Sequence, residues 1–351
     1  MRHSGVKHTS WRVIFQCLAL AFVLLLCRLS LLRKDHGAAI SCLAARNAVS
    51  SRYESQNFVF LCGYKFWRFC EAVFPDYTCT KTGSEHATSE DILLIGMHAS
   101  CSNEHNFPGR VLYINGEPNE AVRALDSYYL GPVTKPGPRS MEFLFTSMAA
   151  LQTREAYAAF IQRPRNTGEG FLLYVSRRCL AHREDAFVLF SKIGSVTSAG
   201  KCNGSRSTLQ RDQNKFQAID GTGPWTEAHK LYRKYKFGLV FENTVQKGYV
   251  SEKILNAFLG GTVPIYHGTE DVFKVFNRDA FVYFDSHNPE KSIEKVRLLM
   301  RDNYEYRRMI SQPILAEGAY DRFFALYGKG HLNGEIRALL GLPRHPVEED
   351  D

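Results

Sequence analysis

Acidic residues are absent from the first 34 positions of the chain, which nevertheless carry six Lys and Arg residues. The whole sequence has 44 basic and 36 acidic residues and a formal charge of +8. Most of that excess therefore lies at the N-terminus, and the remaining sequence is nearly neutral. A nearly neutral body lacks the main feature of a bulk nucleic-acid binder, so we expect no nucleic-acid partner.

A zinc site is not indicated either, because the cysteines contain no closely spaced pair. Nine cysteines occur, and the closest cluster is Cys62, Cys70 and Cys79, which lacks the short spacing of structural zinc ligands. In an oxidising compartment some cysteines would form disulfides, but the spacing does not give the pairing. No Cys follows Cys202, and the chain has no internal repeat.

Residues 13–32 form a nearly uninterrupted apolar run. Twenty helical residues span roughly 30 Å, the thickness of one bilayer core. The run predicts an uncleaved transmembrane signal anchor, with residues 1–12 as a cytosolic tail and 33–57 as a stem. A cleaved signal peptide and a mitochondrial presequence are the alternatives. A short tail before a long globular body favours a lumenal body, as in a single-pass type II protein.

The most informative stretch reads as strand, polar loop, helix and strand. Phe237–Phe241 is apolar and uncharged, Ser251 can cap a helix, Gly260 and Gly261 can end it, and 262–266 is a second buried strand. In such units ligands bind at the carboxyl end of the first strand, against the helix N-terminus. The polar residues at that edge are Glu242, Asn243, Tyr249, Glu252 and Lys253. The alternative is an ordinary crossover with solvated loop residues.

This stretch, FENTVQKGYVSEKILNAFLGGTVPIYHG, resembles the donor-binding motif of the α1,3/1,4-fucosyltransferases, glycosyltransferase family ten. The resemblance is strong over about 171–284 and weaker over about 113–132. It implies an α/β fold with two Rossmann-like domains facing a cleft (GT-B type), after the N-terminal transmembrane helix. It also implies a Golgi membrane location with the catalytic body in the lumen.

The apolar runs and breaks divide the body in the same way. Strands are predicted at 58–63, 91–96 and 111–116, and a polar, Pro- and Gly-containing stretch before Phe171 predicts a boundary. We therefore expect an N-terminal acceptor-side domain over 58–162 and a C-terminal GDP-fucose-binding domain over 170–310. Residues 311–351 are expected to form a C-terminal helix and an acidic tail.

The sequence has no Asp-x-Asp pair, with which many metal-dependent glycosyltransferases hold the diphosphate. Phosphate recognition would then use cations and backbone N–H groups, so no metal and no cofactor is expected. The resemblance assigns the phosphate contact to Arg183, with Arg177 or Arg178 as alternatives. It assigns donor binding to Asn243, Tyr249 and Lys253, and contacts with ribose or fucose hydroxyls to Glu252. Glu242 could instead be structural and close the loop.

An inverting sugar transfer also needs a general base. The resemblance places it at Glu117, directly after a predicted strand. We therefore expect transfer of L-fucose from GDP-β-L-fucose to a glycan on a glycoprotein or glycolipid, forming an α1,3 linkage to the 3-OH of GlcNAc or a similar sugar. The alternatives are a non-catalytic glycan- or nucleotide-binding Golgi protein and a transferase that uses another GDP-sugar. Asn203 begins an N-glycosylation sequon.

Overall fold

The computed structural model describes residues 57–344, except 64–65, 98, 100, 102–103, 119–126, 134–136, 154, 211 and 222. The predicted tail, anchor and most of the stem lie outside the described residues. Within the described part, no helix is long and apolar enough to cross a bilayer.

The first sheet has six parallel strands in the order β2-β1-β3-β4-β5-β6. Its central strand β3, Ile-Leu-Leu-Ile-Gly, is buried along its whole length, as expected for a parallel strand covered on both faces. The strands are β1 Phe58–Cys62, β2 Thr78–Thr80, β3 Ile92–Gly96, β4 Arg110–Ile114, β5 Tyr128–Gly131 and β6 Ser140–Glu142.

The second sheet also has six parallel strands, in the order β12-β11-β10-β7-β8-β9. The chain reverses its direction of growth across this sheet between β7 and β10, which places a crevice at their carboxyl ends. The strands are β7 Gly170–Ser176, β8 Val196–Gly200, β9 Phe216–Ile219, β10 Tyr235–Phe241, β11 Val263–His267 and β12 Val282–Tyr283. Two such parallel sheets confirm the predicted α/β class.

Helices cover the two sheets and connect their strands. Around the first sheet and after it are α1 Trp67–Val73, α2 Phe145–Gln152 and α3 Ala156–Ile161. Within and after the second sheet are α4 Ala181–Ser191, α5 His229–Tyr232, α6 Glu252–Leu259, α7 Val272–Val275, α8 Pro289–Arg301, α9 Asn303–Ile310, α10 Ala319–Phe323 and α11 His331–Leu339.

The end of the chain packs back on the first sheet. Arg337 on α11 is buried and donates to both carboxylate oxygens of Asp76, at 2.7 and 2.8 Å. Asn333 on the same helix donates to the backbone carbonyl of Ala72 at 2.8 Å. Conversely, Leu144 and Phe160 share a hydrophobic core with residues of the second sheet. The two halves are thus joined from both directions, and from Asn57 onward they form one compact unit. The domain boundaries proposed above stay predictions.

Strand pairing overrides the local sequence pattern in two stretches. Residues 141–160 are rich in helix-forming residues, but they form the end of β6, helix α2 and most of α3. Pairing of β6 with β5 takes precedence over the helix propensity of the segment. The polar stretch 203–224 contains β9 at the edge of the second sheet.

Within the part of the chain that the structure describes, three disulfides join Cys62 to Cys101, Cys70 to Cys79 and Cys179 to Cys202. The spacing of the cysteines did not reveal this pairing.

Candidate active site

The N-terminus of α6 lies at the carboxyl end of β10, as the sequence pattern predicted. Ser251 is the N-cap and its side chain accepts from the backbone N–H of Lys253. Glu252 occupies the first turn, where the helix dipole favours an acid. Past the C-terminus of the helix, Gly261 adopts φ +70°, which favours glycine. These local features fix the position of the polar loop 242–250 between strand and helix.

Glu242 is the buried centre of this loop. Its carboxylate accepts from the backbone N–H of Ser251 at 2.8 Å and from the Ser251 hydroxyl at 2.7 Å. The Lys253 ammonium donates to the same carboxylate at 3.3 Å. The Glu242 side chain is completely buried. Glu242 thus closes the loop onto the start of α6, in agreement with a structural role.

Lys253 lies between two carboxylates at the first helical turn. Its Nζ is 3.3 Å from Glu242 Oε2 and 3.9 Å from Glu252 Oε1. Burial alone would lower the pKa of Lys253, but the two carboxylates outweigh it, so the pKa lies above its ordinary value. The side chain is therefore positively charged. A quarter of its surface is exposed, and the residue borders a cavity.

Arg183 is a buried arginine on the first turn of α4. Its guanidinium donates to the carbonyl of Phe241 and to Asn243 Oδ1, the latter at 2.8 Å. Longer contacts of 3.4 Å run to the Ser176 hydroxyl and the Arg178 carbonyl. Burial lowers the pKa of Arg183 below its ordinary value, yet an arginine stays charged. Arg183 therefore ties the ends of β7 and β10 together.

Asn243 and Tyr249 complete the polar loop. Asn243 Nδ2 donates to the Tyr249 hydroxyl at 3.2 Å, while its Oδ1 accepts from Arg183. Tyr249 is buried, and burial raises the pKa of its hydroxyl above the ordinary value. Tyr249 stays neutral and supports Asn243 from behind, whereas Asn243 itself borders the cavity.

Glu117 comes from the other half of the molecule, three residues after β4 ends. The Asn115 side chain accepts from the Glu117 backbone N–H at 2.9 Å and donates to its carbonyl at 3.0 Å. Gly116 lies under the ring of Phe145, because an added Cβ would come within 2.0 Å of Phe145 Cδ2. This packing fixes the main chain of Glu117 while its side chain remains half-buried.

One cavity of about 530 Å³ unites most of the predicted residues. Glu117 borders it from the first half, and Arg183, Asn243, Glu252 and Lys253 border it from the second. Tyr249 lies behind this wall and reaches the cavity only through Asn243. The arrangement combines a carboxylate with a cationic pocket at a strand and helix terminus, which suits an anionic ligand.

Sequence reasoning did not identify part of the wall. Trp225 borders the cavity and packs on Phe145, with ring centroids 5.8 Å apart. Asn256 on α6 donates to the Trp225 carbonyl at 3.1 Å. The sequence signal for this wall is the run Gly221-Thr-Gly-Pro-Trp225, in which turn residues lead directly into an aromatic residue.

Two further predictions concern metal and glycan. In the described ranges, no cluster of three or more His, Cys, Asp or Glu side chains could hold a metal ion. Asn203 lies away from the cavity, exposed and directly after the disulfide-bonded Cys202. Its use as a glycosylation site stays a prediction.

Comparison with known proteins agrees with this geometry. Residues 171–311 match the model of the glycosyltransferase family 10 (fucosyltransferase) C-terminal region. The α-(1,3)-fucosyltransferase FucT of Helicobacter pylori is 31% identical over 143 residues, 40% of this chain and 27% of its own. The GDP-fucose protein O-fucosyltransferase 3 of Gallus gallus is 29% identical over 140 residues, 38% of this chain and 28% of its own. The chain thus spans about a third or less of such relatives.

A solved structure extends the similarity to the fold of both halves. An α1,3-fucosyltransferase crystallised with GDP-fucose superimposes with a TM-score of 0.54 at 17% identity, covering 84% of this chain and 93% of that one. At this identity the likeness concerns the fold, two parallel-sheet halves of GT-B type. Together these matches confirm the predicted resemblance of residues 171–311 to the C-terminal region of glycosyltransferase family 10 (fucosyltransferase).

Proposed function

We propose that this protein is an inverting fucosyltransferase that transfers L-fucose from GDP-β-L-fucose to a glycan hydroxyl. One observation carries the proposal: a single cavity has Glu117 on one side and, on the other, the two cations Arg183 and Lys253 with the polar Asn243. A nucleotide-sugar transfer needs both, a base for the acceptor and positive charge for the leaving diphosphate.

The donor assignment rests on the second half of the molecule. Residues 171–311 match the model of the family's C-terminal region, and a solved enzyme of similar fold was crystallised with GDP-fucose. The pyrophosphate would lie at the carboxyl ends of β7 and β10, against the N-terminus of α6. There the first-turn N–H groups and Lys253 favour negative charge. Glu252, on the cavity side of the same turn, would accept from sugar hydroxyls.

Glu117 would act on the acceptor. Its main chain is fixed by Asn115, and the residue borders the cavity from the end of β4. In the transfer, the acceptor oxygen forms a bond to C1 of fucose as the bond from C1 to the diphosphate oxygen breaks. The acceptor proton passes to Glu117, and GDP leaves with the bonding electron pair. Attack opposite the leaving group converts the β-linked donor into an α-linked product.

The linkage and acceptor form the finer part of this proposal. We propose an α1,3 linkage to the 3-OH of GlcNAc or a similar sugar, on a glycoprotein or glycolipid. The named relatives include both an α-(1,3)-fucosyltransferase and a protein O-fucosyltransferase. A protein hydroxyl is therefore the acceptor that a screen must compare with a glycan.

A calorimetric donor panel tests the donor assignment. Full-length protein is titrated with GDP, GDP-β-L-fucose, GDP-mannose and UDP-glucose. We expect GDP and GDP-fucose to bind, with Lys253→Ala weakening both. Preference for GDP-mannose, or equal binding of UDP-glucose, would contradict the proposed donor.

Turnover should survive chelation, because the proposed diphosphate site uses cations of the protein. Activity is measured after treatment with EDTA and again after addition of Mn²⁺. We expect at most a modest loss. Complete loss that Mn²⁺ restores would show that a metal, rather than Lys253 and the neighbouring arginines, holds the diphosphate.

We further propose that the body lies in the Golgi lumen, anchored by residues 13–32. The three disulfides support an oxidising compartment. Exposed Asn203 should then carry an N-glycan. Digestion with an endoglycosidase should increase the gel mobility of the wild type but not of Asn203→Gln. Protease digestion of the body in intact microsomes would contradict the lumenal assignment.

A further inference from the structure

Two consecutive arginines stand at the mouth of the cavity, directly after β7. The side chains of Arg177 and Arg178 are exposed and border the cavity. Arg177 donates to the carbonyl of Gly223 at 3.3 Å. Among the residues that the structure describes, no carboxylate forms an ion pair with Arg178. Arg178 therefore brings an unpaired positive charge to a cavity that Glu117, Glu227 and Glu252 also border.

The two other cations of the cavity, Arg183 and Lys253, do have partners within the protein. The guanidinium of Arg183 donates to two backbone carbonyls and to the side chains of Ser176 and Asn243. The ammonium of Lys253 has a carboxylate on either side. Lys253 is thus held in ion pairs, whereas the acceptors around Arg183 are neutral and its Nε has no partner among the described residues. The pyrophosphate needs positive charge as it leaves, and Arg177 and Arg178 bring further positive charge to the same cavity.

Arg178 is also close enough to Arg183 for their charges to interact. Burial is the main cause that lowers the pKa of Arg183, and the charge of Arg178 lowers it further. Two neighbouring guanidiniums repel each other, and an anion bound beside them would remove that repulsion. An anion bound beside the two guanidiniums would be attracted by both charges.

The main chain of Arg178 is fixed although its side chain is exposed. Its carbonyl accepts from the Ser176 hydroxyl at 3.1 Å and from Arg183 at 3.4 Å. The next residue, Cys179, is joined to Cys202 by a disulfide. A fixed backbone with a long, exposed side chain lets the guanidinium approach a ligand without reorganising the loop, and its planar fork suits a phosphate.

We propose that Arg178 binds the pyrophosphate of the nucleotide sugar, in the pocket that Arg183 and Lys253 shape. This inference rests on the proposed function and assigns one additional residue to the donor site.

Calorimetry on the full-length protein tests the inference with four proteins: wild type, Arg178→Ala, Arg178→Lys and Arg301→Ala. Arg301 is the control, because it is an exposed arginine on α8 that does not border the cavity. We expect Arg178→Ala to weaken GDP binding roughly tenfold or more, with Arg178→Lys intermediate because an ammonium lacks the guanidinium fork. Guanosine, which has no phosphate, should bind all four proteins equally.

The melting temperature provides a second readout. Without nucleotide, Arg178→Ala should melt at or slightly above the wild-type temperature, because the repulsion with Arg183 is gone. Saturating GDP should raise its melting temperature less than that of the wild type.

Three results would overturn the inference. Unchanged GDP affinity of Arg178→Ala would reject it and leave the proposed function standing. An increase in the acceptor KM alone would place Arg178 at the acceptor instead. Failure of the wild type to bind GDP would reject the proposed function itself.

Discussion

Replacing Glu117 by Gln should lower turnover by about 10²–10⁴-fold, the usual contribution of a positioned general base. Gln keeps the size of the side chain but cannot take the acceptor proton. The Asn115 contacts hold the Glu117 main chain, so they should survive the change. GDP affinity should stay within a few-fold of wild type, because the proposed diphosphate site belongs to the other half of the molecule. Steady-state kinetics and calorimetry measure the two effects separately.

The control for this variant is Glu169→Gln, which makes the same change at an exposed position before β7. It should leave turnover and melting temperature unchanged. Turnover of Glu117→Gln equal to wild type would show that Glu117 is only a surface residue. A joint fall of turnover, stability and GDP binding would show that Glu117 is structural. Either pattern removes it from the mechanism.

Replacing Lys253 by Ala should affect stability and binding together. Glu242 is completely buried, and its ion pair with Lys253 would be lost while its carboxylate stayed inside the protein. Removing one partner of a buried ion pair typically costs ~3–5 kcal/mol of unfolding free energy. GDP affinity should also fall roughly tenfold or more, because a charge-assisted contact is lost. Denaturant unfolding and calorimetry measure the two effects.

A double variant separates stability from binding. Adding Glu242→Gln to Lys253→Ala removes the unpaired charge and keeps an acceptor for the Ser251 N–H. Much of the stability should return, while GDP binding stays weak because the cation is still missing. Lys247→Ala, an exposed lysine of the same loop, is the matched control and should change neither. Full recovery of GDP binding in the double variant would exclude Lys253 as a phosphate ligand.

The sequence predicted the centre of the second sheet well, because there local signals and tertiary packing agree. The run 237–241 is apolar, Ser251 is a strong N-cap and Gly261 can adopt a positive φ. Strands such as Thr78–Thr80 and Val196–Gly200 were missed, because they are short or lack large apolar residues. Pairing with neighbouring strands makes them strands, and a linear pattern does not display that pairing.

The candidate site likewise has parts that the sequence predicted and parts that it did not. Residues next to each other in the motif, such as Asn243 and Lys253, could be placed together from the strand and helix pattern. That Arg183 is buried and bonded to Asn243, while Arg178 remains exposed, depends on contacts between segments about 60 residues apart in sequence. The approach of Glu117 from the other half could be inferred only from the family resemblance.

The central claim is that the cavity transfers fucose from GDP-β-L-fucose rather than merely binding it. The most direct measurement incubates full-length protein with GDP-β-L-fucose and a panel of glycans and glycosylated or folded protein acceptors, following released GDP and fucosylated product. We predict equal amounts of GDP and α-linked fucosyl product with at least one acceptor, and loss of both in Glu117→Gln. Tight GDP-fucose binding with no product on any acceptor, or transfer from another GDP-sugar in its place, would contradict the claim.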